Sequence, residues 1–158
     1  MTTIGRRTYS ETASRIKFAT SQPPGLASTR GFTLIKMVAL LSRKPGLTDE
    51  ALRTHYEEVH VPLILSLVGP HLAAYRRNFV DHSTASGGAN MARGELQLDF
   101  DIITETVYAD QSDFDNAMAV FRDPGNARRV REDEENFLDR HAKRVFLVDE
   151  TGGPLPRR

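Results

Sequence analysis

Phe32-Thr33-Leu34-Ile35-Lys36-Met37-Val38-Ala39-Leu40-Leu41 is apolar or β-branched at every position but Lys36. A short run of this kind predicts a strand buried on both faces. Such a strand needs a layer on each side of its sheet. Arg43-Lys44-Pro45-Gly46 is the turn that follows it. Thr48 then offers a hydroxyl as a helix N-cap, with Asp49 and Glu50 in the first turn to favour the helix dipole. Leu52, Tyr56, Val59 and Leu63 recur at helical spacing. The decisive stretch is therefore a buried strand feeding a capped amphipathic helix.

A second apolar run from Leu63 to Val68 stops at Gly69-Pro70, and Ala73 to Val80 reads as a second strand. Asp81 to Arg93, rich in Gly, Ser and Ala, reads as a loop. Leu96, Leu98, Phe100 and Ile102 alternate with Glu95, Gln97, Asp99 and Asp101, which predicts a third strand running on to Tyr108. Ser112 and Asp115 resemble a capping box at the head of a helix striped by Phe114, Ala117, Met118 and Phe121. Asp123-Pro124-Gly125 stops that helix. A charged helix from Ala127 to Arg140 turns Val130, Phe137 and Leu138 inward, and its Arg128 to Glu135 charges read as a solvent-facing run with i,i+4 pairs. Val145 to Asp149 is the last strand.

The order β-α-β-β-α-α-β is the split βαβ arrangement. The expected class is α+β: a ferredoxin-like, four-stranded antiparallel sheet with helices on one face. The first strand is apolar on its other face too, and a monomer would expose that patch. A homodimer formed by packing two sheets face to face is expected on this ground. Residues 1–31 form a polar arm ending near Gln22-Pro23-Pro24-Gly25, residues 32–150 the folded domain, and 151–158 a tail. The arm carries Arg6, Arg7, Arg15 and Lys17 against Glu11 and lacks an apolar signal block, so it reads as a solvated arm rather than a leader.

Composition narrows the function. Lys plus Arg is 21 and Asp plus Glu is 21, which argues against non-specific nucleic-acid binding. The absence of cysteine excludes disulfides, thiolate nucleophiles and cysteine-bound metals, and makes a cytoplasmic location the expectation. No apolar run approaches the ~20 residues of a membrane span.

The candidate chemistry sits in His55-Tyr56-Glu57-Glu58-Val59-His60-Val61-Pro62. Pro62 has no amide hydrogen for the Glu58 carbonyl, so the helix must bend or restart there. Two roles are open to His60: a general acid/base, since an imidazole titrates near neutrality, or a structural ring bonded to a carbonyl that Pro62 frees. Tyr56, four residues earlier, shares its helix face and either orients a substrate or packs the core. His55 and His60 lie ~140° apart on a regular helix, poor geometry for a shared metal unless Pro62 distorts the angle, so no metal is expected. Lys36 and Glu105 are charges inside apolar strands, and either pair with each other or face a cavity. Met37, Tyr75 and Phe100 are candidate cavity walls. His141, just before the last strand, is placed to reach the dimer interface or a cavity mouth.

The residues from Ile35 to Leu63, with His60 followed two positions later by Pro62, resemble the EthD family of dimeric α/β-barrel proteins. The Asp101–Tyr108 and Val145–Glu150 stretches resemble it too. The resemblance implies a ferredoxin-like subunit and a dimeric barrel. Relatives in that wider superfamily include polyketide cyclases, anthrone and quinol oxygenases, muconolactone isomerases, fungal decarboxylases and dehydratases, and haem-degrading enzymes, many of which need no cofactor. The expected function is a cofactor-independent lyase, cyclase or isomerase. It would move protons on a small aromatic, polyketide-like or lactone-like substrate, with His60 and Tyr56 catalytic. Lys36, Met37, His55, Tyr75, Phe100, Glu105 and His141 would contact substrate. The alternatives are an anthrone- or quinol-type monooxygenase, for whose haem variant His60 and His141 are the candidate ligands, and a non-catalytic binding protein that serves an oxygenase system.

Overall fold

The computed structural model describes residues 34–88 and 92–151. The expected N-terminal arm, the start of the first strand and most of the C-terminal tail lie outside them. The described chain runs β1 (Ile35–Leu41), α1 (Asp49–His55), α2 (Val61–Val68), β2 (Ala74–Phe79), β3 (Ile102–Tyr108), α3 (Gln111–Arg122), α4 (Pro124–Phe137) and β4 (Arg144–Val148). A π-helical turn, Tyr56–His60, joins α1 to α2. The strands form one sheet in the order β2-β3-β1-β4, with every neighbour antiparallel. This is the ferredoxin-like α+β arrangement expected from the sequence.

Strand alternation divides the sheet into two faces. Leu41 pairs with Ile102 and Ala39 with Thr104, and these positions pack under the helices. One core cluster gathers Leu41, Leu52, Tyr56, Ile102 and Phe137. A second gathers Ile64, Val68, Tyr108 and Ala117, with Phe114, Met118 and Phe121 of the predicted stripe packed against it. Lys36, Val38 and Leu40 point the other way, beside Val107, Glu105 and Ile103. Among the described residues no helix is long and apolar enough to cross a membrane.

The local signals mostly act as read. Thr48 caps α1, its hydroxyl accepting from the Ala51 amide at 3.1 Å. Asp123 ends α3 and also caps α4, accepting from Asn126 N at 2.9 Å, with Pro124 just inside the helix. The cap of α3 differs from expectation. Asp110, with extended backbone, accepts from the Asp113 amide at 2.9 Å, so the helix begins before Ser112.

The larger correction concerns β3. Residues 95–101 alternate in polarity yet form no strand. Their would-be neighbours end at the same level, since both Leu41 and Phe79 pair with Ile102. Alternation without a neighbouring strand has no ladder to join. Asp101 instead ties the connection down. Its carboxylate accepts from the Arg43 amide at 2.8 Å and bonds His82 Nε2 at 3.0 Å.

Candidate active site

Pro62 leaves its mark one turn earlier than its own position. The Val61 amide bonds the Tyr56 carbonyl, five residues back, in place of the usual four. This wider turn brings residues five apart into line. His55 and His60, separated on a regular helix, therefore both reach the carboxylate of Asp133 on α4. His60 Nδ1 lies 2.6 Å from Asp133 Oδ2, and His55 Nε2 lies 2.8 Å from Oδ1. The same rotation turns Val59, expected in the apolar stripe, out to 49% exposure.

Asp133 is the residue that sequence reasoning missed. It sits in the charged run read as solvent-facing, yet both Asp133 and its neighbour Glu134 are buried. The exposed part of that run behaves as expected, with Arg128 3.8 Å from Glu132. Two apolar positions flank the buried acids at helical spacing: Val130 three before Asp133, and Phe137 three after Glu134. That spacing was the available signal. Glu134 is neutralised by Lys143 and by Arg140 Nε, the latter at 3.3 Å.

His60 is held on three sides. Its ring lies 4.9 Å from Tyr56 and 5.1 Å from Phe137, centroid to centroid. Phe137 also stacks on His55 at 4.7 Å. The partner of His60 is thus a carboxylate, not a freed backbone carbonyl. Burial pushes the His60 imidazole below the usual histidine range, and Asp133 opposes that shift without overcoming it. One carboxylate charge is divided between two imidazoles. A neutral His60 that donates from Nδ1 to Asp133 presents a basic Nε2, and Nε2 has no hydrogen-bond partner among the described residues.

A cavity of about 380 Å³ opens beside it, between the sheet and the helices. Its polar wall is a row of hydroxyls. Tyr56 OH lies 2.6 Å from Thr104 Oγ1 and 3.3 Å from Tyr75 OH. Burial pushes both phenols up, so both stay protonated at neutral pH. Thr106 and Tyr108 continue the row along β3. Ile64, Val68, Met118 and Phe121 supply the apolar wall, and Arg131, Arg140 and Lys143 border the cavity near Glu134.

The structure thus brings together His60, Tyr56, Met37 and Tyr75 on one cavity. The other candidates stand elsewhere. Lys36 pairs with Glu105 at 3.0 Å and with Glu150 at 2.8 Å on the sheet face away from the helices. His55 lies on the outer side of Asp133 and borders a shallow surface depression with Glu50 and Glu58. Phe100 lies in the connection before β3, 5.9 Å from the Arg144 guanidinium. His141 is exposed in the turn before β4, against Lys44 and Asp139.

No functionally curated protein matches the chain significantly. Several solved structures share its fold. An EthD-like protein from Ralstonia eutropha JMP134 is 18% identical with a TM-score of 0.51, over 74% of this chain and 91% of that one. The protein At3g17210 from Arabidopsis thaliana is 16% identical with a TM-score of 0.50, over 77% and 99%. A NIPSNAP-like domain protein from Burkholderia xenovorans is 16% identical with a TM-score of 0.50, over 79% and 93%. At such identities the likeness is one of fold. The family model for the EthD domain matches residues 44–141, which include the π-helical turn, the hydroxyl row and Asp133. With more than half of its length covered by that match, the chain belongs to the EthD domain family.

Proposed function

We propose that this protein is a cofactor-independent enzyme that moves protons on a small carbon acid bound in the cavity, with His60 as general base. The observation that carries the reading is the 2.6 Å bond from His60 Nδ1 to the buried Asp133, on a ring that borders the cavity. Such a bond fixes the tautomer and leaves Nε2 as the acceptor. Burial keeps the ring neutral, which is the state that a base requires.

The step is a proton transfer. A C–H bond next to a carbonyl breaks, the proton goes to His60 Nε2, and the electron pair passes into the carbonyl to give an enolate. Tyr75, loosely held at 3.3 Å from Tyr56, turns its hydroxyl to the enolate oxygen. His60 then returns the proton to another carbon, which is isomerisation, or to a departing hydroxyl, which is dehydration or the last step of a cyclisation. Aromatic, polyketide-like or lactone-like molecules fit the largely apolar cavity.

We infer also that the chain works as a homodimer. Phe146 is 45% exposed on the face opposite the helices, beside Val38. A second copy packed on that face would cover it together with Leu40 and Ile103.

The test is deuterium exchange. Cyclic 1,3-diketones, β-ketolactones and hydroxynaphthols are incubated with protein in D2O, and label at the acidic carbon is followed by NMR. The wild type accelerates exchange of at least one class, and His60→Ala loses roughly 10²-fold or more of that acceleration. Exchange that proceeds equally fast with His60→Ala sinks the reading.

A further inference from the structure

Two hydroxyls on the cavity wall have no role in that chemistry and no hydrogen-bond partner among the described residues. Thr106 Oγ1 and Tyr108 OH are buried without a hydrogen bond among the described residues. The residues themselves are only 8% and 0% exposed. A buried polar atom left unpaired is costly, and a native fold rarely keeps two together without a use for them. Both border the cavity.

Their position gives the use. Thr104, Thr106 and Tyr108 occupy alternate positions of β3, so their side chains share the helix-side face. Thr104 is already bonded to Tyr56, beside His60. Tyr108 belongs to the other core cluster, with Ile64, Val68 and Ala117, and its ring meets Phe114 edge-on at 5.2 Å. Four residues of strand separate Thr104 from Tyr108, roughly 13 Å. The cavity is therefore elongated along β3, with the base at one end and the unpaired hydroxyls towards the other. Thr106 Oγ1 also acts on the Tyr108 phenol, opposing the upward push of burial, although no contact between them meets hydrogen-bond geometry. On alternate positions of one strand face, the two hydroxyls line the same wall.

We propose that Thr106 and Tyr108 form a subsite for a carbonyl or hydroxyl oxygen at the end of the substrate remote from the carbon that His60 deprotonates. The assignment of the reacting end rests on the proposed function; the subsite itself rests on the two hydroxyls. The substrate is then an elongated, flat molecule with an oxygen at each end and an apolar middle that packs on Ile64, Val68 and Met118. The phenol donates and the threonine hydroxyl donates or accepts, so the pair suits either a carbonyl or a hydroxyl.

The test reads binding and stability, not turnover. The probe is 2,6-dihydroxynaphthalene, titrated into wild type, Thr106→Val and Tyr108→Phe, with NMR shifts reporting the cavity. Wild type binds it in the cavity. Each variant binds about 10-fold or more weakly, as expected for one lost hydrogen bond to a buried partner. Each variant also keeps or gains thermal stability, because removing an unpaired buried hydroxyl relieves a penalty. Affinity within twofold of wild type in both variants overturns the proposal, and so does a lack of probe binding in the wild-type cavity. A lower Tm in both variants also overturns it, since that result assigns the hydroxyls to structural water. His60→Ala separates the two readings: it removes proton exchange, and adding Thr106→Val or Tyr108→Phe to it still weakens the probe by about 10-fold.

Discussion

The two faces of one four-stranded sheet meet their polar groups in opposite ways. On the helix side, among the described residues, Thr106 and Tyr108 are left without partners, and His60 keeps one nitrogen free beside a cavity. On the other side every charge on β1 and β3 is matched: Lys36 binds Glu105 and Glu150, and Asn78 reaches Glu105 at 3.4 Å. Around those charges Val38, Leu40, Ile103 and Phe146 present apolar surface. Unpaired polar groups next to an empty volume suit a ligand, whereas matched charges among aliphatics suit a second protein surface. The period of two in each strand lets seven residues of β1 or β3 serve both purposes at once.

Asp133→Asn should have the largest effect. An asparagine can offer its amide nitrogen to His60 Nδ1 and so reverse the tautomer, placing the proton on the nitrogen that must act as base. Proton exchange should fall by about 10²-fold or more, with a changed 15N pattern for the His60 ring, while the oligomeric state stays as in the wild type. His55→Gln keeps a donor towards Asp133 Oδ1 and should lose much less, about 10-fold or below. Equal losses in the two variants would mean that the outer histidine holds the carboxylate as firmly as the inner one does. An unchanged rate in Asp133→Asn would remove the helix-side face from the chemistry.

The opposite face is tested by Phe146→Asp. A charge placed beside Val38 has no partner there and must be desolvated when two copies meet. Association should weaken by roughly 30-fold or more, a rise in the dimer Kd read by sedimentation or light scattering across concentration. The cavity lies on the other side of the sheet, so the affinity for 2,6-dihydroxynaphthalene should hold. A wild type that is monomeric at high concentration breaks the comparison at once.

These contrasts show what the sequence carried and what it did not. The strand and helix order was legible because caps and stops are local: Thr48, Asp123 and Pro124 act where they stand. The His60–Pro62 pair was legible as a bend. Its consequence was not, because a regular helix puts His55 and His60 on different sides, and only the π-helical turn aligns them. Asp133 was hidden by composition. Its run of charges looks uniform, and burial is decided by which helix face meets His55 and His60 across 73 or more residues of chain. Residues 95–101 failed in the reverse sense: the alternation is local, but a strand is a property of its neighbours, and β1 and β2 stop at Ile102.

The smallest expected effect is the one that pH exerts through His60. Its folded-state pKa is depressed by burial, so below the usual histidine range near 6.5 the unfolded chain binds a proton that the folded chain resists. Stability from this group is therefore fully present above about pH 6.5 and is lost as pH falls from there towards the depressed folded value. Proton exchange should follow the folded value, with its acid limb below pH 6.5. Thermal melts of wild type and His60→Phe between pH 7.5 and 5.5 isolate the contribution, because the variant has no imidazole to protonate at that position. The wild type should lose more Tm than the variant over this interval. Parallel melts would mean that Asp133, although shared with His55, compensates the charged His60 in full, and that the helix-side face pays no penalty for burying its base.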